Sequence, residues 1–495
     1  MNRGEVPGYE FEVPRGPRHA SGPRHELGHD QRQFRRVEPE QRPRSEFGPD
    51  PLRQFRREPE PPPKSPVRTA GGGVLGVMRR RNWVMGLAVP IVAAIVVGIA
   101  VVVITGGGGS GGDAPSALAA GFPPARLAGA SFTGAAGTTR VTLTAIGAAG
   151  ATEVAAGGVN GGPALWSSPD GGTTWTRAAL AGPAAMTGAG TGQLAAVAHG
   201  NAGWLAVGTT LAGHGAALVA SSPDARTWTV TGGLAGNAVA AAVAAGPAGY
   251  VIVGHQAAGG SSAAAAWYAP GLTGWRTATV TALGKQGTTS GQTMSAVAAT
   301  AHGFVAVGAA DTLPAAWLSA TGQTWRQASV PLPAGAARAA LDYVAANGSA
   351  VVAAGTQFSA AGASSPFAEV SADAGATWTQ VQLPGPDIGP GTGTTVTALT
   401  AAGGGFTAVG TYVTQAGPEV VIWTLPAGTP VTDGAAWAAA TPQGTGLAST
   451  KAENAITGLA ADGATLTGVG FTAALTGSGM PGAQQPTLWQ SPIRN

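Results

Sequence analysis

Trp204-Leu205-Ala206-Val207-Gly208 returns as Tyr250-Val251-Ile252-Val253-Gly254, as Phe304-Val305-Ala306-Val307-Gly308 and as Phe406-Thr407-Ala408-Val409-Gly410, with weaker copies ending at Gly157, Gly355 and Gly470. Successive glycines of these seven copies stand 51, 46, 54, 47, 55 and 60 residues apart. Self-similarity at such a period marks a repeat architecture, in which each unit buries its apolar face against the next. About twenty residues after each of the first six glycines come a short apolar strand, a turn and a tryptophan, at positions 175, 228, 275, 325, 378 and 437. Alternating apolar positions and Gly-rich turns make each copy four short strands. Four strands in about fifty residues form one blade of a β-propeller, and the density of Gly, β-branched and aromatic residues excludes a helical repeat. The sequence therefore predicts an all-β, seven-bladed β-propeller over residues 124–495.

The seventh copy runs out at Trp489-Gln490-Ser491-Pro492-Ile493-Arg494-Asn495, after its third strand. An open ring would leave sheet edges with unpaired N–H and C=O groups. Residues 124–132 precede the first strand of copy one at the spacing of a fourth strand, so they are expected to pair with residues 486–493 and close the ring.

The turn between third and fourth strands has a signature of its own. Ser168-Pro169-Asp170-Gly171-Gly172-Thr173-Thr174-Trp175 and Ser371-Ala372-Asp373-Ala374-Gly375-Ala376-Thr377-Trp378 resemble the Asp-box, the bacterial neuraminidase repeat of sialidase-like propellers. Residues 222–228 give a copy one residue shorter, and residues 319–325 put Thr321 where the Asp would stand. Such an Asp accepts bonds from N–H groups of its own turn, Gly supplies the positive φ, and Trp covers the hairpin. Asp170 and Asp373 read as turn staples, not as catalytic acids. The resemblance implies that the boxes lie on the blade rim, away from the ligand face. It also raises sialidase chemistry, which in that family needs three Arg on a carboxylate, a Tyr activated by Glu, and an Asp acid. Here Arg177, Arg276 and Arg326 follow hairpin tryptophans onto outermost strands, and Arg226 sits inside a turn. Only Arg140 and Arg338 are placed to reach the central funnel, so the triad does not assemble.

Upstream of the repeats the chain changes character. Residues 1–78 are rich in Pro, Arg, Glu, Gly and His and lack an apolar period, which predicts a disordered tail. Arg32-Gln33-Phe34-Arg35-Arg36 is echoed by Arg53-Gln54-Phe55-Arg56-Arg57, either as a pair of linear motifs for a cytoplasmic partner or anionic lipid, or as a duplicated solvated linker. From Trp83 to Ile104 no residue is charged. At ~1.5 Å per residue the run spans about 33 Å, enough for a hydrocarbon core of ~30 Å. Arg79-Arg80-Arg81 precede it and the next basic residue is Arg126, so the positive-inside rule places the N-terminus in the cytoplasm. Residues 79–105 are expected to be an uncleaved signal anchor in the plasma membrane. The run is too long for a cleaved signal peptide, and the small-residue site at Ala117-Leu118-Ala119 lies far beyond it. Residues 106–123 then form a Gly-rich linker.

Charge follows the same division. Residues 1–82 carry 17 Arg or Lys against 11 Asp or Glu, whereas residues 83–495 carry 10 against 13. A basic folded surface is thus missing, and nucleic acid is excluded as a partner. Cysteine is absent, which rules out disulfides, thiolate metal sites and a Cys nucleophile. No paired His stands at ligand spacing and no Gly-x-Ser-x-Gly elbow accompanies His199, His214, His255 or His302, so neither a metal, a cofactor nor a Ser-His-Asp site is expected. Twenty-four Arg against 3 Lys fit a GC-rich bacterial coding sequence.

Binding chemistry remains. Loops joining second to third strands, and those joining blade to blade, share the funnel face of a propeller, where ligands sit. That rule selects His255, Gln256, Asp311, Gln357 and Tyr412 after the repeating glycines, and Lys285, Asp387, Lys451 and Glu453 in the blade-to-blade loops. Donors, acceptors and one aromatic suit a protein or glycan ligand. The alternative is a glycoside hydrolase of sialidase-like fold, which needs two carboxylates flanking a bond, and no spacing links any two acids here.

Overall fold

A computed structural model describes residues 140–493, apart from internal stretches at 189, 212–214, 233, 235–236, 259, 282–290, 386–393, 415–416, 443–446, 448–451 and 477–480. The chain divides into two units, Met1–Arg81 and Asn82–Asn495, and every described residue belongs to the second. The tail, the expected membrane span, the linker and residues 124–132 lie outside the described residues. Among those described, no helix is long and apolar enough to cross a membrane.

Seven antiparallel sheets follow one another along the chain, and within each the strands pair in sequence order. They cover residues 141–177, 192–231, 238–277, 292–328, 336–381, 395–440 and 452–492, and are numbered here as blades 1 to 7. The first strand of each blade touches the first strand of the next, and that of blade 7 touches that of blade 1, so the ring closes around its innermost strands. Blades 2 and 4 carry a fifth strand: Ala179–Ala181 lies parallel to Thr227–Thr231, and Thr279–Thr281 parallel to Thr324–Ala328. The chain leaving one blade thereby covers the outer edge of the next. Blade 7 has three described strands, Ala452–Ala461, Thr465–Leu475 and Pro481–Pro492.

The repeating glycine has a steric cause. Every first strand carries a β-bulge, with register shifts at 143/145, 194/196, 240/242, 294/296, 341/343, 396/398 and 456/458. Opposite the residue before each bulge stands the glycine: Leu143 pairs with Gly157, Ala240 with Gly254, Met294 with Gly308. A Cβ at any of the seven would collide with a carbonyl oxygen of the bulged strand, for instance that of Val239 at Gly254. Only glycine lets the second strand approach a bulged partner.

The core is divided among the seams. Seven apolar clusters are found among the described residues, each joining two neighbouring blades. Two positions recur in them. Four residues before the glycine stand Trp204, Tyr250, Phe304, Val351, Phe406 and Leu466, each packed toward the preceding blade. On the third strand stand Trp166, Trp267, Trp317, Trp423 and Trp489, all fully buried. A buried Trp covers about 150–250 Å² and contributes several kcal/mol at roughly 25 cal/mol per Å². The blades therefore hold one another, and no blade holds itself. Both positions have an acidic exception: Glu153 in the first series and Glu369 in the second, each 1% exposed or less.

Candidate functional site

The Asp-box turns are built as their residue types dictate. Asp170 accepts from the Thr174 N–H (2.8 Å), the Thr174 hydroxyl (2.6 Å) and the Ser168 hydroxyl (2.7 Å). Asp373 repeats the pattern with Thr377 and Ser371. In the shortened copy Asp224 accepts from the N–H groups of Arg226 and Thr227. The bonds from Thr174 and Ser168 lower the Asp170 carboxyl to about 2, and for Asp373 an opposing desolvation is outweighed by the bonds from Thr377 and Ser371. Trp175, Trp228 and Trp325 each donate their indole N–H to a carbonyl of the same turn. These carboxylates are fully engaged in stapling their hairpins. Arg177 and Arg276 lie on outermost strands, as the spacing predicts, whereas Arg326 lies on a fourth strand that Thr279–Thr281 covers on its outer side.

On the face opposite the Asp-box turns, the second-to-third-strand turns of blades 3 and 4 are tied by backbone bonds to each other and to the first strand of blade 5, forming one arc. Gly291 donates to the Ser262 carbonyl (2.9 Å) of blade 3, Asp311 donates to the Gly291 carbonyl (3.1 Å), and Ala339 of blade 5 donates to the Thr312 carbonyl (2.9 Å) of blade 4. Ser261 adds a hydroxyl acceptor for the Gly291 N–H at 3.0 Å. The arc collects four of the candidate residues. His255 pairs with Ala264 and Gln256 with Ala263 on the strands leading into the blade 3 turn. Asp311 sits exposed at the tip of the blade 4 turn with φ of 57°, in the left-handed region that Asp tolerates. Gln357 pairs with Ala339, next to the Thr312 bond.

Two of these side chains carry unmet bonding capacity. His255 is half-buried, its Nδ1 has no partner, and burial lowers its basicity. Gln357 donates to the Ser365 hydroxyl (3.1 Å), but its buried Oε1 accepts nothing. Beside it, exposed Arg338 places its guanidinium carbon over the Phe358 ring, 3.9 Å from the ring centre. Tyr412 stands apart in blade 6. It is buried in the seam between blades 5 and 6 and donates to Glu419 Oε2 at 3.0 Å, and burial followed by the Glu419 charge raises its pKa. Lys285, Asp387 and Lys451 lie outside the described residues. Half-buried Glu453 is the second residue of the first strand of blade 7, its pKa raised by burial. Its neighbour Asn454 donates to the Leu447 carbonyl and accepts from Thr472.

Some polar groups went unselected by the sequence rule. The Arg338 stack depends on a second bulge, between 336 and 338, which no motif announces. Asp342 is the extra residue of the blade 5 bulge, and desolvation lifts its carboxyl to about 6. In blades 1 and 7 the same position holds Thr144 and Thr457, whose hydroxyls donate to the carbonyls of Leu194 and Leu143 in the next blade. Two shallow hollows lie on the Asp-box face instead, one lined by His199, Asn201 and Pro223, the other by His302, Arg326 and Asp373. No group of His, Asp and Glu that could hold a metal occurs among the described residues.

No protein-family model matches the chain, and no curated protein matches it. Solved structures do. The chain is similar to YCF48 from Cyanidioschyzon merolae, at 12% identity and a TM-score of 0.41, over 75% of this chain and 98% of that one. It is similar to Trypanosoma rangeli sialidase in complex with the inhibitor DANA, at 11% identity and a TM-score of 0.36, over 71% of this chain and 54% of that one. Penicillium chrysogenum α-L-arabinanase complexed with arabinobiose gives 10% identity and a TM-score of 0.35, over 60% of this chain and 93% of that one. The ring of seven blades itself is read from this chain's own sheets and their contacts.

Proposed function

We propose that this chain is a membrane-anchored cell-envelope protein that displays its propeller outside the membrane as a binding or scaffolding module, without enzymatic activity. The observation that supports it is the arc across blades 3 to 5, where His255 Nδ1 and Gln357 Oε1 are buried without partners on the face opposite the Asp-box turns. A buried polar atom left unpaired costs ~1–3 kcal/mol, which a ligand supplying the missing donor or acceptor recovers. Gln256 and Asp311 complete the contact set, Lys285 is added to it on its sequence position alone, and a protein or glycan segment offers the matching groups. Membrane attachment rests on the uncharged run of residues 83–104 behind Arg79-Arg80-Arg81, and the tail is left to a cytoplasmic partner.

The full-length chain, used as bait against envelope fractions, should capture a ligand. Changing His255, Asp311 and Gln357 together to Ala should weaken capture at least tenfold while Tm stays within a few degrees. Unchanged capture removes this face from the reading, and turnover of envelope glycans by the same preparation replaces it with the glycoside hydrolase. Cysteines placed at Ser21 and Ser290 test the anchor: an impermeant reagent on intact cells should label only the second.

A further inference from the structure

The seam between blades 7 and 1 is unlike the other six. At the position four residues before the repeating glycine, the other blades push an aromatic or aliphatic side chain into their neighbour, whereas blade 1 pushes in Glu153. Glu153 Oε1 accepts from the Thr467 hydroxyl of blade 7 at 2.6 Å, and its buried Oε2 has no partner. Gln490, also of blade 7, donates to the Gly171 carbonyl of the blade 1 Asp-box at 2.7 Å and to Thr467 Oγ1 at 3.3 Å. The fit is close: a Cβ on Gly172 would strike both Gln490 Nε2 and Glu153 Oε2. These bonds join residues more than 300 positions apart in the chain, at the place where the last blade meets the first.

We propose that Glu153, Thr467 and Gln490 form a proton-operated latch on the closing seam of the ring, tight when Glu153 is neutral and loosened when it ionises. A neutral carboxyl tolerates one satisfied oxygen and a close apolar surround. An ionised one is a buried charge held by a single hydroxyl. The charged groups around it make ionisation harder still, since Asp462 in the first turn of blade 7 and Asp170 in the blade 1 Asp-box are both acidic. Burial first, and then those two charges, push the Glu153 carboxyl up from its ordinary 4.5 to about 7, against the opposing Thr467 bond. The folded ring thus holds a proton that the unfolded chain releases. Its stabilising effect is complete below pH 4.5 and is lost as the pH rises through 7. A ring that loosens across neutrality at one seam presents the blades on either side of it differently in an acidified and a neutral medium.

Hydrogen exchange on the full-length chain at pH 5 and pH 8, corrected for intrinsic rates, tests the latch. Protection of residues 465–475 and 152–159 should fall at least tenfold more than that of equivalent strands in blades 3 and 4. In Glu153→Gln this extra loss should vanish, with Tm at pH 5 close to wild type and Tm at pH 8 above it. Thr467→Val removes the bond that favours the ionised form and should move the midpoint of the Tm decline to higher pH, which keeps the test open where the Gln variant folds poorly. The latch is wrong if Glu153→Gln follows the wild-type decline, or if loss of protection is spread evenly around the ring or centred on the Glu369 seam.

Discussion

A methyl group added at Gly254 has nowhere to go, because the bulge across the ladder brings the Val239 carbonyl into the space it would fill. The same holds at the other six repeat glycines, although their φ angles are ordinary. The constraint is close approach of backbone, not the left-handed freedom that keeps Gly in turns. Gly254→Ala should therefore cost on the order of 3 kcal/mol or more, by displacing the second strand or flattening the bulge. Gly260→Ala, in the neighbouring turn at φ of 88°, meets open space and should cost roughly 1 kcal/mol from backbone strain alone. Urea denaturation of the two variants checks the difference, and equal costs would mean that the bulge carries no constraint.

At the scale of the strand, Glu369 is the third-strand residue that five other blades fill with Trp and blade 2 with Ala220. It pairs with Ala353 and Gln380, and neither carboxyl oxygen has a partner. Burial pushes it up to about 8, above its ordinary 4.5, so the folded state keeps it protonated and its cost grows between those values. Glu369→Leu should then stabilise the chain at every pH, and by on the order of 2 kcal/mol more at pH 9 than at pH 4.5. A pH-independent effect in thermal melts would refute the ionisation account. Glu369 and Glu153 also show where reading the sequence stops. The run ending in Gly is a local signal, so the blades, their number and the Asp-box turns were legible from it. Glu369 becomes an exception only once the third strand is in register with its partners, whereas Glu153 stands in the repeat itself, four residues before Gly157, and only the neighbouring blade shows it buried on the seam. The candidate residues fared likewise. Their common face followed from repeat position, but the arc through Gly291, Asp311 and Ala339 rests on backbone bonds between blades, which any residue can make. Tyr412 had the expected position, and its ring turned into the seam because blades 5 and 6 leave apolar volume there.

For the whole molecule, stability is a property of a closed ring in which every apolar cluster is shared. Losing one seam exposes two blades at once, so unfolding should be cooperative across blades. The sequence assigns residues 124–132 to the outer edge of Pro481–Pro492, outside the described residues, and their deletion from the full-length chain is the direct test. Tm should fall by about 5 °C or more with aggregation on heating, and a deletion variant that melts as wild type would leave that edge to some other arrangement. The order in which the chain builds the ring has a mechanical side as well. Described structure begins at Val141–Ala149, the innermost strand of blade 1, braced by blades 2 and 7 and laddered along its length to Thr152–Val159. Tension carried along that central strand loads its whole ladder in shear, many hydrogen bonds at a time. Tension carried along Pro481–Pro492, the outermost described strand of blade 7, can peel it away one bond after another. A tug delivered to the hub strand is therefore borne far better than one delivered to the rim.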